Sequence, residues 1–179
     1  MRSTEELIRE HEVILGALEG LERHLRQAQG GGALQPGYVR DLVAFCQGFV
    51  DRCHHGKEEH CLFPCLERRG IPREGGPIGV MLMEHEMGRQ LVRRIAEAVE
   101  RYEGGQSTVE AVVELGWQYL ELLRAHIAKE NEILFPMGEA VLQVEDDGQV
   151  GRCYDGVEHV QGEGEHQRLT QLAERLRGG

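Results

Sequence analysis

The sequence has few aromatic residues and no long apolar run. Phe, Trp and Tyr together make up 5% of its 179 residues, although apolar residues of all kinds make up 40%. Sheets are enriched in aromatic and β-branched residues, so a composition rich in Leu and Ala favours helices. No stretch approaches the roughly 18 apolar residues of a membrane span, and the first residues lack the apolar segment of a signal peptide. We therefore expect a helical, cytoplasmic protein without a membrane partner.

Positive charge is also scarce. The chain has 20 Lys and Arg residues against 31 Asp and Glu residues, which gives a formal net charge of −11 at pH 7. Nucleic-acid binding needs clustered Lys and Arg, so a nucleic-acid partner is not expected. The five cysteines are an odd number, and in an intracellular protein they argue against a disulfide framework.

Glycine-rich breaks divide the first part of the chain into four amphipathic stretches with a helical period. The breaks lie at residues 30–32, 70–77 and 104–105. The helices are predicted to begin near Ser3, Tyr38, Pro77 and Ser107. Since the connections are short, the predicted fold class is all-α: an up-down-up-down four-helix bundle with a short C-terminal extra helix. A kink or helix end is expected near Pro64.

The pattern weakens after residue 142. Residues 143–164 are acidic and rich in glycine, which predicts a loop. A short amphipathic helix follows, with Leu169, Leu172 and Leu176 on one face. We therefore divide the chain into a metal-binding bundle over residues 1–142 and a C-terminal loop and short helix over residues 143–179. The second part is expected to pack on or near the bundle.

A two-helix unit occurs twice in the bundle. Residues 54–64 align with residues 126–136, and six of these eleven positions are identical. The first and third helices share the shorter pattern Glu-His-Glu, at residues 10–12 and 84–86. Residues that recur at equivalent positions in both copies are therefore candidates for one shared site.

Histidine and glutamate recur at a spacing that suits metal binding. His54 and Glu58 are four residues apart and share a helix face, and His126 and Glu130 repeat this spacing. The helical period places both pairs, and one histidine on each of the other two helices, in the apolar stripes that face the bundle interior. The predicted metal ligands are His11, His54, Glu58, His85, His126 and Glu130.

Six convergent ligands exceed the needs of one metal in an open site. A single core histidine is more often a hydrogen-bonded structural residue, but four at one level with two glutamates favour a metal centre. Each glutamate can bridge two metals, which leaves two histidines for each. Imidazole and carboxylate suit iron, with manganese possible, and zinc is less favoured because it usually takes four ligands. The predicted cofactor is two iron ions.

Neighbouring residues receive simpler interpretations. His55 is expected to flank the site, and a role as an extra ligand is the alternative. Glu59 is expected to be dispensable, and Lys57 to lie at the rim. Cys61 and Cys65 are interpreted as small core residues, because their counterparts in the repeat are apolar. The other histidines are expected to be solvated, and they are His24, His60, His159 and His166.

The pattern H…HxxxE…H…HxxxE, with Lys-Glu-x-x-x-Leu-Phe-Pro at residues 57–64, resembles the HHE cation-binding branch of the hemerythrin family over residues 5–140. The resemblance implies a non-haem di-iron protein that reacts with or senses oxygen, peroxide or nitric oxide. The chain departs from the oxygen carriers of the family. Met81 and Arg89 stand where a further histidine would be, and Asn131 replaces an aspartate.

The ligand set instead resembles iron-centre repair proteins and hemerythrin-like stress proteins, which makes reversible oxygen carriage unexpected. An iron-sensing or iron-handling module, which stores or delivers iron without catalysis, is the alternative. The sequence does not indicate a particular protein partner or decide between these functions.

Overall fold

The computed structural model describes residues 1–162 and 164–178, which form helices and contain no strand. The elements in chain order are α1 (Arg2–Gln29), α2 (Pro36–Phe45), π1 (Cys46–His55), π2 (Glu58–Leu62), α3 (Phe63–Arg68), α4 (Pro77–Glu103), α5 (Val109–Lys129), π3 (Glu130–Leu134), α6 (Phe135–Val141), α7 (Val144–Gln161) and α8 (Glu165–Gly178). The predicted all-α bundle is confirmed, and the up-down order of its helices stays a prediction. None of these helices combines the length and apolarity needed to cross a lipid bilayer.

Two of the bundle helices contain π-helical segments. Segments π1 and π2 interrupt the second helix, and π3 interrupts the fourth. Both π2 and π3 end two residues before a proline, Pro64 and Pro136, at equivalent positions of the repeat. A proline lacks the N–H that would continue the helical hydrogen bonds, and a π turn is one way to accommodate it. The change expected near Pro64 is therefore a local widening of the helix.

A polar layer separates two apolar clusters in the bundle. The large core cluster contains Ile14 of α1, whereas the small core cluster contains Leu7 of the same helix. His11 lies between these two residues and is buried. The other three predicted histidine ligands also lie, along their helices, between residues of the small and the large cluster. The predicted ligands are thus enclosed by packed side chains above and below.

The loop predicted for residues 143–164 is wrong over most of its length, because Val144–Gln161 form the 18-residue helix α7. Gln143 and Asp146 form a capping box at its start, which satisfies backbone N–H groups that have no helical partner. The buried face of α7 includes Val150 and Tyr154, and Tyr154 is fully buried. Packing of this face against the bundle outweighs the low helix propensity of the glycines in α7. Residue 163 lies outside the described residues.

Helix α7 also supplies a disulfide partner. Cys61 is buried in the small core cluster, as expected, but it is also bonded to Cys153, so the expectation that the cysteines form no disulfide is wrong for this pair. The comparison between repeat copies could not indicate the bond, because the counterparts Ile133 and Met137 are 51% and 41% exposed and so have different surroundings. Cys65 is buried and unbonded, as expected.

Helix α8 packs against α1 as part of the large core cluster. Leu169, Leu172 and Leu176 are each at most 2% exposed and share this cluster with the bundle helices. The two helices approach closely at Gly20, where a Cβ atom would overlap the carbonyl oxygen of Leu176. The division of the chain at residue 142 stays a prediction.

We predict that Gly20→Ala destabilises the protein by about 1–3 kcal/mol, because overpacking forces the helices apart. Gly16→Ala is the matched control one turn away, since a Cβ there would meet only the flexible side chain of Arg177. This control should be neutral or slightly stabilising, because alanine has the higher helix propensity. Urea unfolding of the three proteins would measure both changes. Equal stability of the two variants would contradict close packing of α8 on α1.

Candidate metal centre

The six predicted ligand residues meet in the polar layer. Each of the two carboxylates lies between two histidines from different helices. Glu58 Oε1 is 3.6 Å from His54 Nε2, and Glu58 Oε2 is 3.3 Å from His85 Nε2. Glu130 Oε2 is 3.2 Å from His11 Nε2 and 3.3 Å from His126 Nε2. Both glutamates therefore connect the pair of His11 and His54 with the pair of His85 and His126.

The four histidines form two tilted pairs. The rings of His11 and His54 are 4.6 Å apart at an interplanar angle of 61°, and those of His85 and His126 are 4.8 Å apart at 66°. His85 Nε2 is 3.1 Å from His126 Nε2. This distance suits two nitrogen ligands of one ion at bond lengths of about 2.0–2.1 Å. Because the lone pair lies in the ring plane, tilted rings can direct two lone pairs at one point.

The other ring nitrogen of each histidine is held by a hydrogen bond. The Nδ1 atom donates to Glu10 in His54 (2.8 Å), to Glu59 in His85 (2.7 Å) and to Glu84 in His126 (2.9 Å). An ionised carboxylate only accepts hydrogen bonds, so each Nδ1 carries the hydrogen and each Nε2 keeps a lone pair. Such outer hydrogen bonds fix the orientation of metal-binding imidazoles.

The same hydrogen bonds occur in both copies of the repeat. His11 Nδ1 donates to Asn131 Oδ1 at 2.8 Å, and Asn131 is the counterpart of Glu59. Lys57 and its counterpart Lys129 each donate to the glutamate that holds a histidine, Glu10 and Glu84 respectively. The expectation that Glu59 is dispensable does not fit this geometry, because Glu59 orients His85.

The buried polar atoms that lack partners test whether these residues fit a metal. His11 Nε2, His54 Nε2 and all four carboxylate oxygens of Glu58 and Glu130 have no hydrogen-bond partner among the described residues. Buried polar groups are normally paired, and an unpaired one is costly. These six atoms are predicted donor atoms that lie within a few ångströms of one another, and both ring nitrogens of His55 are unpaired beside them. The donor set therefore fits divalent metal ions bound between them.

The electrostatics of the layer lead to the same conclusion. Burial and the neighbouring Glu130 carboxylate raise the pKa of Glu58 well above its ordinary value. Burial lowers the pKa of His54 to about 4, which keeps this imidazole neutral at physiological pH. Burial opposes ionisation of Glu10, but contacts with His54 and Lys57 outweigh it and lower the pKa of Glu10 to about 2. The neutral imidazole of His54 and a Glu58 carboxyl group that resists ionisation beside Glu130 are the features that a bound cation would complement.

His55 lies inside the layer, although a flanking position was the favoured interpretation. It is 4% exposed, and its ring stacks on that of His85 at 3.7 Å and 12°. The angular position expected for His55 assumed an α-helix, but π1 winds with fewer degrees per residue, so His54 and His55 both point inward. The ligand atoms of His55, Glu58, His85 and His126 all lie within 4.8 Å of one another, so His55 is a further candidate ligand for an ion at His85 and His126.

Several other positions differ from their predicted places. Lys57 is fully buried among Glu6, Glu10 and Glu158, so its assignment to the rim is wrong. His24 is 5% exposed and stacks on Tyr38, so its assignment to solvent is wrong. These side chains could not be placed by helical period alone, because their partners lie on other helices. His60 and His159 are exposed, as expected, and His166 is only partly exposed.

A cavity of about 220 Å³ reaches the layer from one side. His55, His85 and His126 form one wall, and Arg89 and Asp51 are also among its lining residues. Gly88 lines the cavity, and a Cβ atom there would have Tyr119 Cε2 as its nearest neighbour, at 3.9 Å. A small molecule in the cavity would therefore lie beside one of the two histidine pairs.

Known proteins resemble the chain as follows. A family model described as the hemerythrin HHE cation binding domain matches residues 2–138. The iron-sulfur cluster repair protein YtfE of Yersinia pestis (strain Pestoides F) is 37% identical over 107 residues, which cover 57% of this chain and 48% of the relative. YtfE of Yersinia pseudotuberculosis (serotype O:1b, strain IP 31758) matches with the same values. The chain spans about half the length of the curated relatives it matches. No solved structure shows significant similarity.

We predict that Glu59→Ala lowers metal affinity by about 10–100-fold, because His85 loses the acceptor that orients it. Competition with a chromogenic chelator would measure the affinity. Glu12→Ala is the matched control, since Glu12 is exposed although it adjoins the candidate ligand His11. An affinity of Glu59→Ala equal to that of the control would show that the orientation of His85 does not depend on this hydrogen bond.

Proposed function

The chain belongs to the hemerythrin HHE cation-binding family, and we propose that it holds a di-iron centre that reacts with oxygen, peroxide or nitric oxide. The unpaired, buried donor atoms of the polar layer carry this proposal. The proposed ligands are His11, His54, Glu58, His85, His126 and Glu130. His11 and His54 would hold one ion, His85 and His126 the other, and the two glutamates would bridge them.

Iron at these positions would supply redox chemistry toward small oxygen and nitrogen compounds. The chain itself holds the imidazoles in the tautomer that presents Nε2, and packs apolar side chains on both sides of the layer. His55 lines the cavity, and neither of its ring nitrogens has a hydrogen-bond partner among the described residues. A molecule in the cavity would therefore meet an imidazole able to donate or accept a proton beside the metal position.

The residues around the third helix support reaction over reversible carriage. Met81 is 3% exposed and packs in the small core cluster. Arg89 donates to Asp51 at 2.7 Å and pairs with Glu59, and its guanidinium has no lone pair to offer a metal. Neither side chain adds a ligand to the pair His85 and His126. Each ion would then keep coordination positions for water or a small molecule. A small molecule could therefore react with both ions, which favours an irreversible reaction over reversible binding at one ion.

Iron handling is the second candidate function. The relatives that match over part of their length are named for the repair of iron-sulfur clusters. A chain with the same ligand pattern could hold iron for delivery to such a cluster. Iron transfer from the loaded protein to an apo iron-sulfur protein would favour delivery, whereas turnover of nitric oxide or peroxide with retained iron would favour reaction. We place either function in the cytoplasm, with small molecules as partners.

We predict that protein from iron-replete cells contains two metal ions per chain, mainly iron, and that removing them lowers the free energy of unfolding. Bound ions stabilise only the folded state, by about 4 kcal/mol per ion at a free concentration a thousand times Kd. Elemental analysis and thermal unfolding of loaded and metal-free protein would measure both quantities. Glu130→Ala should lose metal, whereas Glu12→Ala should not. One zinc and no iron per chain would contradict the proposal, and so would equal melting temperatures.

We predict that the reduced, iron-loaded protein is oxidised irreversibly by air and reacts with nitric oxide or peroxide through the cavity at Gly88. Gly88→Leu should fill this space and slow the reactions by at least about tenfold, a loss of about 1.4 kcal/mol in transition-state stabilisation, while the iron content stays unchanged. Stopped-flow absorption would follow the rates. Gly151→Leu is the control, because Gly151 lies in α7 with no side-chain neighbour within 4 Å of an added Cβ. A stable oxygen adduct that releases oxygen under vacuum would overturn the proposal.

A further inference from the structure

Four side chains with metal-binding atoms also cluster outside the di-iron layer. They are Glu10 of α1, Cys53 of π1, Glu158 of α7 and His166 of α8, and their ligand atoms all lie within 4.8 Å of one another. The cluster thus combines a thiol, an imidazole and two carboxylates from four different elements. No part of the proposed di-iron function uses Cys53, Glu158 or His166.

The distances within this cluster suit a four-coordinate ion. Cys53 Sγ is 3.5 Å from His166 Nδ1 and 4.0 Å from Glu10 Oε1, and His166 Nδ1 is 3.6 Å from Glu158 Oε1. Ligands in a tetrahedron with bonds of about 2.0–2.3 Å are about 3.3–3.8 Å apart. Two of the three distances lie within this range, and the distance of 4.0 Å between Cys53 and Glu10 lies just above it.

The charge around the cluster also favours a cation. The adjoining pocket of about 370 Å³ is lined by four carboxylates, those of Glu6, Glu10, Asp155 and Glu158. Its two basic lining residues are Arg9 and Lys57. The four carboxylates exceed these two basic side chains by two, and a divalent ion would balance the difference.

The pocket gives access to the cluster from solvent. The side chains of Glu158 and His166 are 38% and 39% exposed, whereas Cys53 is fully buried behind them. Lys57 Nζ lies 2.7 Å from Glu10 Oε1 and 2.5 Å from Glu158 Oε1, where it partly occupies the place of a cation. Lys57 Nζ is also 2.7 Å from Glu6 Oε1, so it would keep a carboxylate partner after leaving the other two.

We propose that Glu10, Cys53, Glu158 and His166 bind a third metal ion, a divalent zinc or ferrous ion with one thiolate ligand. Thiolate, imidazole and carboxylate together suit these metals. Binding would release the Cys53 thiol proton to solvent and would move Lys57 toward Glu6. Glu158 and His166 lie beyond residue 138, where the match to the family model ends, so this site depends on the C-terminal helices.

The third site is connected with the di-iron layer through one side chain. Glu10 Oε1 faces Cys53, and Glu10 Oε2 accepts the hydrogen bond from His54 Nδ1. An ion bound to Glu10 would therefore act on the residue that orients a proposed iron ligand. This arrangement suits a site whose occupancy affects the di-iron layer or from which an ion moves into it.

Cobalt(II) is a suitable probe because it gives a near-ultraviolet charge-transfer band when a thiolate binds it. The di-iron ligands include no sulfur, so a thiolate band cannot come from them. The 179-residue protein, in oxygen-free buffer without added thiol, should show this band at saturating cobalt. Cys53→Ser and His166→Gln should each abolish it, and equilibrium dialysis should show one cobalt ion fewer per chain in both variants.

Cys46→Ser is the matched control, because Cys46 is another buried, unbonded cysteine of π1 and is not part of the cluster. It should keep both the band and the cobalt count. His166 is partly exposed, so His166→Gln tests the proposal even if Cys53→Ser fails to fold. No band in the wild-type protein would overturn the proposal, and so would a band that survives either ligand substitution. Loss of the di-iron ligands would change the cobalt count without removing the band.

Discussion

The rest of the structure depends on the burial of Glu58 and Glu130 beside one another. Two ionised carboxylates in a layer closed by apolar clusters would be very costly without a cation. The surrounding residues do not supply that cation: Lys57 and Lys129 bind Glu10 and Glu84, which in turn hold the histidines. These two lysines therefore lie outside the two bridging carboxylates, and the centre of the layer is left for metal ions.

The repeat makes the layer nearly symmetric, with His11 and His54 in one half and His85 and His126 in the other. The sequence differences between the two copies make these halves unequal. Each half has one histidine oriented by a glutamate, Glu10 or Glu84, which a lysine supports. The other acceptor is charged in one half, where it is Glu59, and neutral in the other, where it is Asn131. A carboxylate acceptor raises the basicity of the imidazole that it orients more than an amide does. The histidines of the two halves are therefore expected to donate electrons to a metal with different strength.

The candidate ligands could be predicted from the sequence because a four-residue spacing in a helix determines a shared face. This reasoning holds for His54 with Glu58 and for His126 with Glu130, whose convergence depends little on the exact winding. It failed for His55, because the direction of an adjacent residue depends on whether the helix is α or π. It failed for α7, because a glycine-rich segment with weak amphipathicity acquires its helix from packing. The Cys61–Cys153 disulfide could not be foreseen without α7.

Helices α7 and α8 make the two halves of the layer unequal in access as well as in charge. The half with His85 and His126 borders the 220 Å³ cavity. On the other half, the outer residues Glu10 and Lys57 contact Cys53 and Glu158, and α7 and α8 cover them. A small molecule that comes through the cavity would thus meet the half with His85 first, while an ion that comes through the pocket at His166 would meet the half with His54. The C-terminal helices would in this way separate the path of small molecules from the path of metal ions.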